Sequence, residues 1–169
     1  MVQNTQPDLA QLIEQHYEAL YRYAYRMSGG AADAEDLTQH TFLMAQQRLD
    51  QLREPDKARA WLFTILRNAF LKSIRRDKKG TVSLNELPDP VQETTDHSNI
   101  TVDSDDLQKL LNQMPADFRD AVVMFYFGEF SYREIAEQLD IPAGTVMSRL
   151  SRGKAWLRTR LASQVALGR

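Results

Sequence analysis

None of the 169 residues is cysteine, which excludes disulfides, thiolate metal sites and thiol redox sensing. Histidine is scarce: His16, His40 and His97 stand far apart and lack metal-ligand spacing. No metal and no other cofactor is expected. There is no apolar run long enough to cross a bilayer and no signal-peptide pattern at the N-terminus. No membrane insertion is therefore expected, and the cytoplasm is the expected compartment. Clustered carboxylates, a nucleophile beside a base and a phosphate-binding loop are also missing, so an enzyme is not expected.

What is present is globular in composition, 43% hydrophobic and 26% charged, with length enough for one ordinary domain or two small ones. The net charge of −2 argues weakly against a nucleic-acid binder, but the distribution of that charge argues for one. Lys57 to Lys79 holds eight bases and one acid, Asp77. Gly80 to Asp106 holds seven acids and no base, and Ala143 to Arg169 six bases and no acid. Segregation of this kind marks separate surfaces with separate partners.

The chain is organised around Phe130 to Leu161. Ser131 and Glu134 have the spacing of a capping box, in which the hydroxyl takes an orphan amide and the carboxylate reaches back. Ile135, Ala136 and Leu139 give the short helix that follows one apolar face. Asp140-Ile141-Pro142 breaks it, because proline lacks the amide donor and biases its predecessor away from helix. A second helix is predicted from about Ala143, with Val146, Leu150, Leu157 and Leu161 inward and Thr145, Ser148, Arg149 and Arg152 on another face. Two short helices, a tight turn and a basic second helix suit a helix-turn-helix, whose second helix presents polar side chains to base edges while flanking bases hold phosphates. The plain alternative is a helical hairpin with a solvated charged face.

Tyr132-Arg133-Glu134-Ile135-Ala136, Ile141-Pro142-Ala143-Gly144-Thr145-Val146, Ser148-Arg149-Leu150 and Arg152 resemble region four of the extracytoplasmic-function (ECF) sigma factors. These are the small members of the bacterial sigma-70 family. The resemblance implies recognition of the duplex minus-thirty-five element by Thr145, Ser148, Arg149, Ser151 and Arg152, with Arg149 and Arg152 reaching phosphate or guanine. Three residues depart from the family pattern. Met147 stands where a basic residue is frequent. Asp140 replaces a common turn glycine, and aspartate is the next most tolerant of that backbone. Trp156 replaces a charged residue near the outward face; it either packs within its own domain or meets a regulator.

The rest of the chain agrees in order and spacing. A first helix is predicted from Asp8 to about Met27, with Leu9, Ile13, Tyr17, Leu20, Ala24 and Met27 inward and a stop at Ser28-Gly29-Gly30. A second runs from about Asp33 to Leu49, with Asp33, Glu35 and Asp36 in its first turn. It turns Leu37, Phe42, Ala45 and Leu49 inward and Asp36, Gln39 and His40 outward. A solvated polar face explains those three, but Asp33-Ala34-Glu35-Asp36-Leu37-Thr38-Gln39-His40-Thr41-Phe42 resembles the sigma segment that binds core RNA polymerase, and the likeness implies core contacts for Asp36 and Gln39, with His40 beside them. His40 stands where the family often has an acid.

A third helix is predicted from about Lys57 to Lys78, after a loop over Gln51 to Asp56. Leu62, Ile65, Leu66 and Ala69 form its buried side; Thr64, Asn68, Lys72 and Arg75 form another stripe, with Arg76 near its end. The bases at its C-terminus also complement the helix dipole, which is a local explanation for part of the charge. Trp61, Phe63 and Phe70 are interleaved among the bases, and aromatic faces beside a cationic track suit unpaired nucleotides. At least one of the three is expected in the core. Trp61-Leu62-Phe63-Thr64-Ile65-Leu66-Arg67-Asn68 resembles the sigma helix that engages the minus-ten element. By that likeness Asn68, with the preceding loop, holds a base turned out of the non-template strand, and Trp61, Thr64, Lys72, Arg75 and Arg76 lie along the strand.

Gly80 to Asp105 reads as a flexible acidic linker, with Pro88 and Pro90 and no helical period. Freely coiled it would span about 30 Å, and stretched roughly 90 Å. Two more helices follow, Leu107 to Met114 and Ala116 to Phe127, with Pro115 in the first turn of the second and Gly128 closing it. Leu107, Leu110, Leu111, Met114, Phe118, Val122, Phe125 and Tyr126 are the expected core. The expected fold is all-α: region 2 over 1–79, the linker over 80–105 and the region 4 helix-turn-helix over 106–169. The implied partners are bacterial core RNA polymerase, promoter DNA as duplex and as melted non-template strand, and an anti-sigma protein. Two rivals leave part of this unexplained. A stand-alone helix-turn-helix repressor or activator uses only the C-terminal half. An RNA-binding or polymerase-associated adaptor does not need Arg149.

Overall fold

The computed structural model describes residues 7–78 and 104–167. Among the described residues the fold is helical, with no strand. The chain divides into two compact units, 1–84 and 85–169. The expected linker lies outside the described residues up to position 103, as do His97, Lys79 and Arg169.

The first unit packs α1 (Leu9–Ser28), α2 (Ala31–Gln47) and α3 (Ala58–Lys78) on one another. α1 opens on a capping box that hydrophobic periodicity does not reveal: Asp8 Oδ1 accepts the Gln11 amide at 2.8 Å, and Gln11 Oε1 accepts the Asp8 amide at 3.4 Å. It closes at Gly29, whose φ of 83° is the left-handed stop and whose N–H donates to the Tyr25 carbonyl. The buried stripe is Leu12, Leu20, Tyr23, Ala24 and Met27, so Ile13 and Tyr17 do not belong to it. Tyr23 joins the buried face, where its ring meets Phe63 of α3 edge-on with centroids 5.1 Å apart. Tyr17 instead stacks at the flank on Tyr21 and Phe42. His16 is held neutral to a lower pH than an ordinary histidine, first by burial and then by the Arg59 guanidinium.

α2 starts two residues earlier than expected, on Gly30, so only Asp33 of the three acids is in its first turn. Its buried positions include Thr38 and Thr41, not Leu37 and Leu49. Both threonine hydroxyls donate to carbonyls four residues back, Ala34 and Leu37, at 2.7 Å, so their burial leaves no polar atom unsatisfied. The connection to α3 is a 3₁₀ turn at Leu49–Gln51, the buried Leu52 and a second 3₁₀ turn at Pro55–Lys57.

The second unit contains α4 (Ser104–Gln113), α5 (Ala116–Tyr126), α6 (Tyr132–Leu139) and α7 (Ala143–Leu167). α4 begins three residues before the expected Leu107, and Pro115 is the N-cap of α5, one place outside its first turn. Leu110, Leu111, Met114, Val122, Val123 and Met124 are buried. Tyr126 is not: it is 52% exposed, and Phe130 takes the core place instead. The turn explains the exchange. The Gly128 amide donates to the Val123 carbonyl and the Phe130 amide to Met124, which folds Phe130 back under α5. Gly128 is needed for space, since a Cβ there would lie 2.7 Å from Phe130 Cδ2; the left-handed residue is its neighbour Glu129, at φ 55°.

Candidate nucleic-acid and polymerase interfaces

α6 and α7 form the predicted helix-turn-helix, and the signals that place it are local. The Glu134 amide donates to Ser131 Oγ at 3.2 Å and the Ser131 amide to Glu134 Oε2 at 2.7 Å, so two orphan donors are satisfied reciprocally. Asp140 ends α6 in the left-handed region, φ 54° and ψ 50°, as its place in the family's turn-glycine position requires. The Ile141 amide donates back to the Ala136 carbonyl, which completes the reversal. α7 then starts at Ala143, behind Pro142, and buries Val146, Leu150 and Gly153. Gly153 carries no signal in the apolar pattern. A Cβ there would stand 2.6 Å from Val122 Cγ2, so the close approach of α7 to α5 depends on it.

The exposed stripe at the N-terminal end of α7 is Gly144, Met147, Ser148 and Arg152, with Ser151 half-buried beside it. Thr145 and Arg149 lie on its flank, both half-buried. Arg149 Nη2 is 3.5 Å from Asp117 Oδ2 of α5, and its side chain is only 23% exposed. The five residues named from the sequence are thus near one another, but two of them lean toward the body of the unit. Further along, Trp156 is half-buried and carries the Arg160 guanidinium over its ring at 4.8 Å.

In the first unit, Asp36, Gln39 and His40 are all exposed on α2, opposite Ala34, Thr38, Thr41 and Ala45. Leu43 continues their stripe and is 52% exposed. It is absent from the set expected from the sequence, although its spacing, seven residues after Asp36 and three after His40, is signal enough to find it.

On α3, Asn68, Lys72, Arg75 and Arg76 are exposed, while Trp61 and Thr64 are half-buried. The Thr64 hydroxyl donates to the Ala60 carbonyl at 2.8 Å. Phe63 and Phe70 are core residues, so two of the three interleaved aromatics offer no face to a nucleotide and Trp61 alone of them remains. Among the described residues no cluster of His, Asp and Glu is placed to hold a metal ion, and no helix is long and apolar enough to cross a membrane.

Comparison with known proteins gives these surfaces a family. Residues 12–80 match the model for sigma-70 region 2 and residues 104–157 that for sigma-70 region 4. The chain is similar to the ECF RNA polymerase sigma factor SigE of Mycolicibacterium smegmatis, 38% identical over 95% of this chain and 64% of that protein. It is also similar to the ECF RNA polymerase sigma factor SigL of Mycobacterium tuberculosis, 36% identical over 89% of this chain and 86% of the relative. The chain therefore spans a little under two thirds of the first relative's length and most of the second's. Among solved structures, the sigma factor RpoE in complex with the anti-sigma factor NepR from Bartonella quintana superposes with a TM-score of 0.75 at 30% identity, over 92% of this chain and 97% of that one. CnrH, solved with the cytosolic domain of CnrY, shares the fold, with a TM-score of 0.66 at 23% identity over 92% of this chain and 88% of that one. Two family regions matched in order, and relatives matched along nearly the whole chain, establish that this protein belongs to the sigma-70 family of RNA polymerase sigma factors, in its ECF group.

Proposed function

We propose that the chain directs bacterial core RNA polymerase to specific promoters and aids strand opening at initiation. The observation that carries this reading is that the two family-matched units present three polar stripes, on α2 and α3 of the first and on α7 of the second, each suited to a different partner. On α2, Asp36, Gln39 and His40, with Leu43 among them, bind core polymerase. On α3, Trp61, Thr64, Asn68, Lys72, Arg75 and Arg76 receive the melted non-template strand of the minus-ten element. On α7, Thr145, Ser148, Arg149, Ser151 and Arg152 engage the duplex of the minus-thirty-five element. Region 2 occupies 1–79 and region 4 occupies 106–169, with the acidic linker between them.

The protein is no enzyme in this scheme: the polymerase core forms every bond, and this chain works in the cytoplasm beside it. Opening is a matter of trapping. Unstacking a base costs a few kcal/mol, which contacts to the extruded base offset. By likeness to the relative solved in complex with the anti-sigma factor NepR, an anti-sigma protein is a further partner of the chain.

Permanganate footprinting of the assembled holoenzyme tests the division of labour. Asn68→Ala is expected to bind core as the unsubstituted chain does but to lose thymine reactivity at the minus-ten element. Full reactivity with Asn68→Ala would remove Asn68 from the opening step.

A further inference from the structure

Glycine weakens a helix relative to alanine, and α7 carries it twice. At Gly153 the reason is internal: an added Cβ would stand 2.6 Å from Val122 Cγ2. At Gly144 no such crowding is seen: among the described residues, its chain neighbours and its own helix backbone aside, nothing lies within 4 Å of where a Cβ would stand. Gly144 is exposed, and its bare backbone precedes Met147 and Ser148 by one turn of the same stripe. Helical side chains lean toward the N-terminus, over the turn before their own Cα. Met147 is therefore directed over the surface that Gly144 leaves clear, at the end of a recognition helix that contacts base edges.

Met147 is 51% exposed and has no place in the core, which on this helix is formed by Val146, Leu150 and Gly153. Its neighbours on the stripe, Gly144, Ser148 and Arg152, offer it no large apolar partner. A thioether donates no hydrogen bond and accepts only weakly, so it has little to offer phosphate or the guanine edge. One group in the major groove does suit it: the C5 methyl of thymine, which apolar side chains contact.

We propose that Met147 reads the C5 methyl of a thymine in the upstream duplex element and so helps set promoter specificity. The inference rests on α7 being the duplex-reading helix, as proposed above. Uracil tests it directly, since it keeps thymine's hydrogen-bonding edge and lacks the methyl. The probe is the upstream duplex of a promoter mapped by transcription with the full chain and core polymerase. Each thymine in it is replaced by uracil in turn, and holoenzyme binding is measured by competition.

At one position the replacement is expected to weaken binding roughly fourfold, the worth of one apolar group removed from water. Met147→Ala holoenzyme, also weaker on the thymine duplex, should be indifferent to uracil at that position. Sequence-specific binding that no uracil replacement alters overturns the Met147 assignment and leaves the duplex-reading role intact. Equal losses for both proteins assign the methyl effect to DNA shape and likewise overturn it. No sequence preference in the upstream duplex at all overturns both the assignment and the reading of α7 on which it rests.

Discussion

Arg149 occupies a divided position. Its guanidinium lies 3.5 Å from the Asp117 carboxylate and is largely covered, yet it borders the exposed stripe of α7. A half-covered ion pair holds an arginine in one orientation, and if α7 reads the duplex as proposed, that orientation on its flank suits a phosphate better than a base edge. Arg149→Ala is therefore expected to weaken duplex binding by a similar factor on cognate and altered sequences, and to reduce the salt slope of binding by about one. Titrations at several salt concentrations measure both; a loss confined to the cognate sequence would show that Arg149 reads a base. Position on this helix is legible in the sequence only to within one stripe. Thr145, Ser148, Arg149 and Arg152 are a sound periodic set, but which edge of it turns toward α5 depends on Asp117, thirty-two residues earlier in the chain. The left-handed backbone at Asp140 agrees with the turn glycine that the family resemblance puts there, a conformation aspartate tolerates.

Among the elements, capping and breaking signals place the starts of α6 and α7, since caps and prolines act within one turn, while α7 runs on past the expected stripe to Leu167. Burial along α1 and α3 is harder to read. Both helices carry apolar residues on more than one side, and which side faces the core is decided by the helix it meets. Tyr23 and Phe63 settle that question together, and with it the removal of Phe63 from any nucleotide-facing role. Gly153 shows the same dependence on a neighbour. Alanine is the better helix former there by about 1 kcal/mol, but Val122 is buried and stiff at χ1. Overpacking of this sort costs about 1–3 kcal/mol and should win. Gly153→Ala is expected to lower the melting temperature followed by circular dichroism, and Val122→Ala in the same chain to recover part of the loss. A higher melting temperature for Gly153→Ala alone would mean that α7 does not approach α5 so closely.

For the whole molecule, the all-helical class and the family follow from the sequence because two sets of local motifs occur in the right order. The acidic stretch between them is legible only as composition. In the proposed scheme, selectivity comes from joining weak contacts: one unit would bind the minus-ten strand and the other the minus-thirty-five duplex, with polymerase as the common partner. Neither unit alone is expected to find a promoter. The most direct measurement is run-off transcription by bacterial core polymerase on a pool of genomic promoters, with and without the chain, beside an Asp36→Arg variant. Discrete new start sites are expected that require the chain and fade with Asp36→Arg, whose reversed charge sits on the exposed α2 stripe. Absence of any chain-dependent start site, together with tight binding of the free protein to a palindromic duplex, would contradict the promoter-directing role and favour a stand-alone helix-turn-helix repressor.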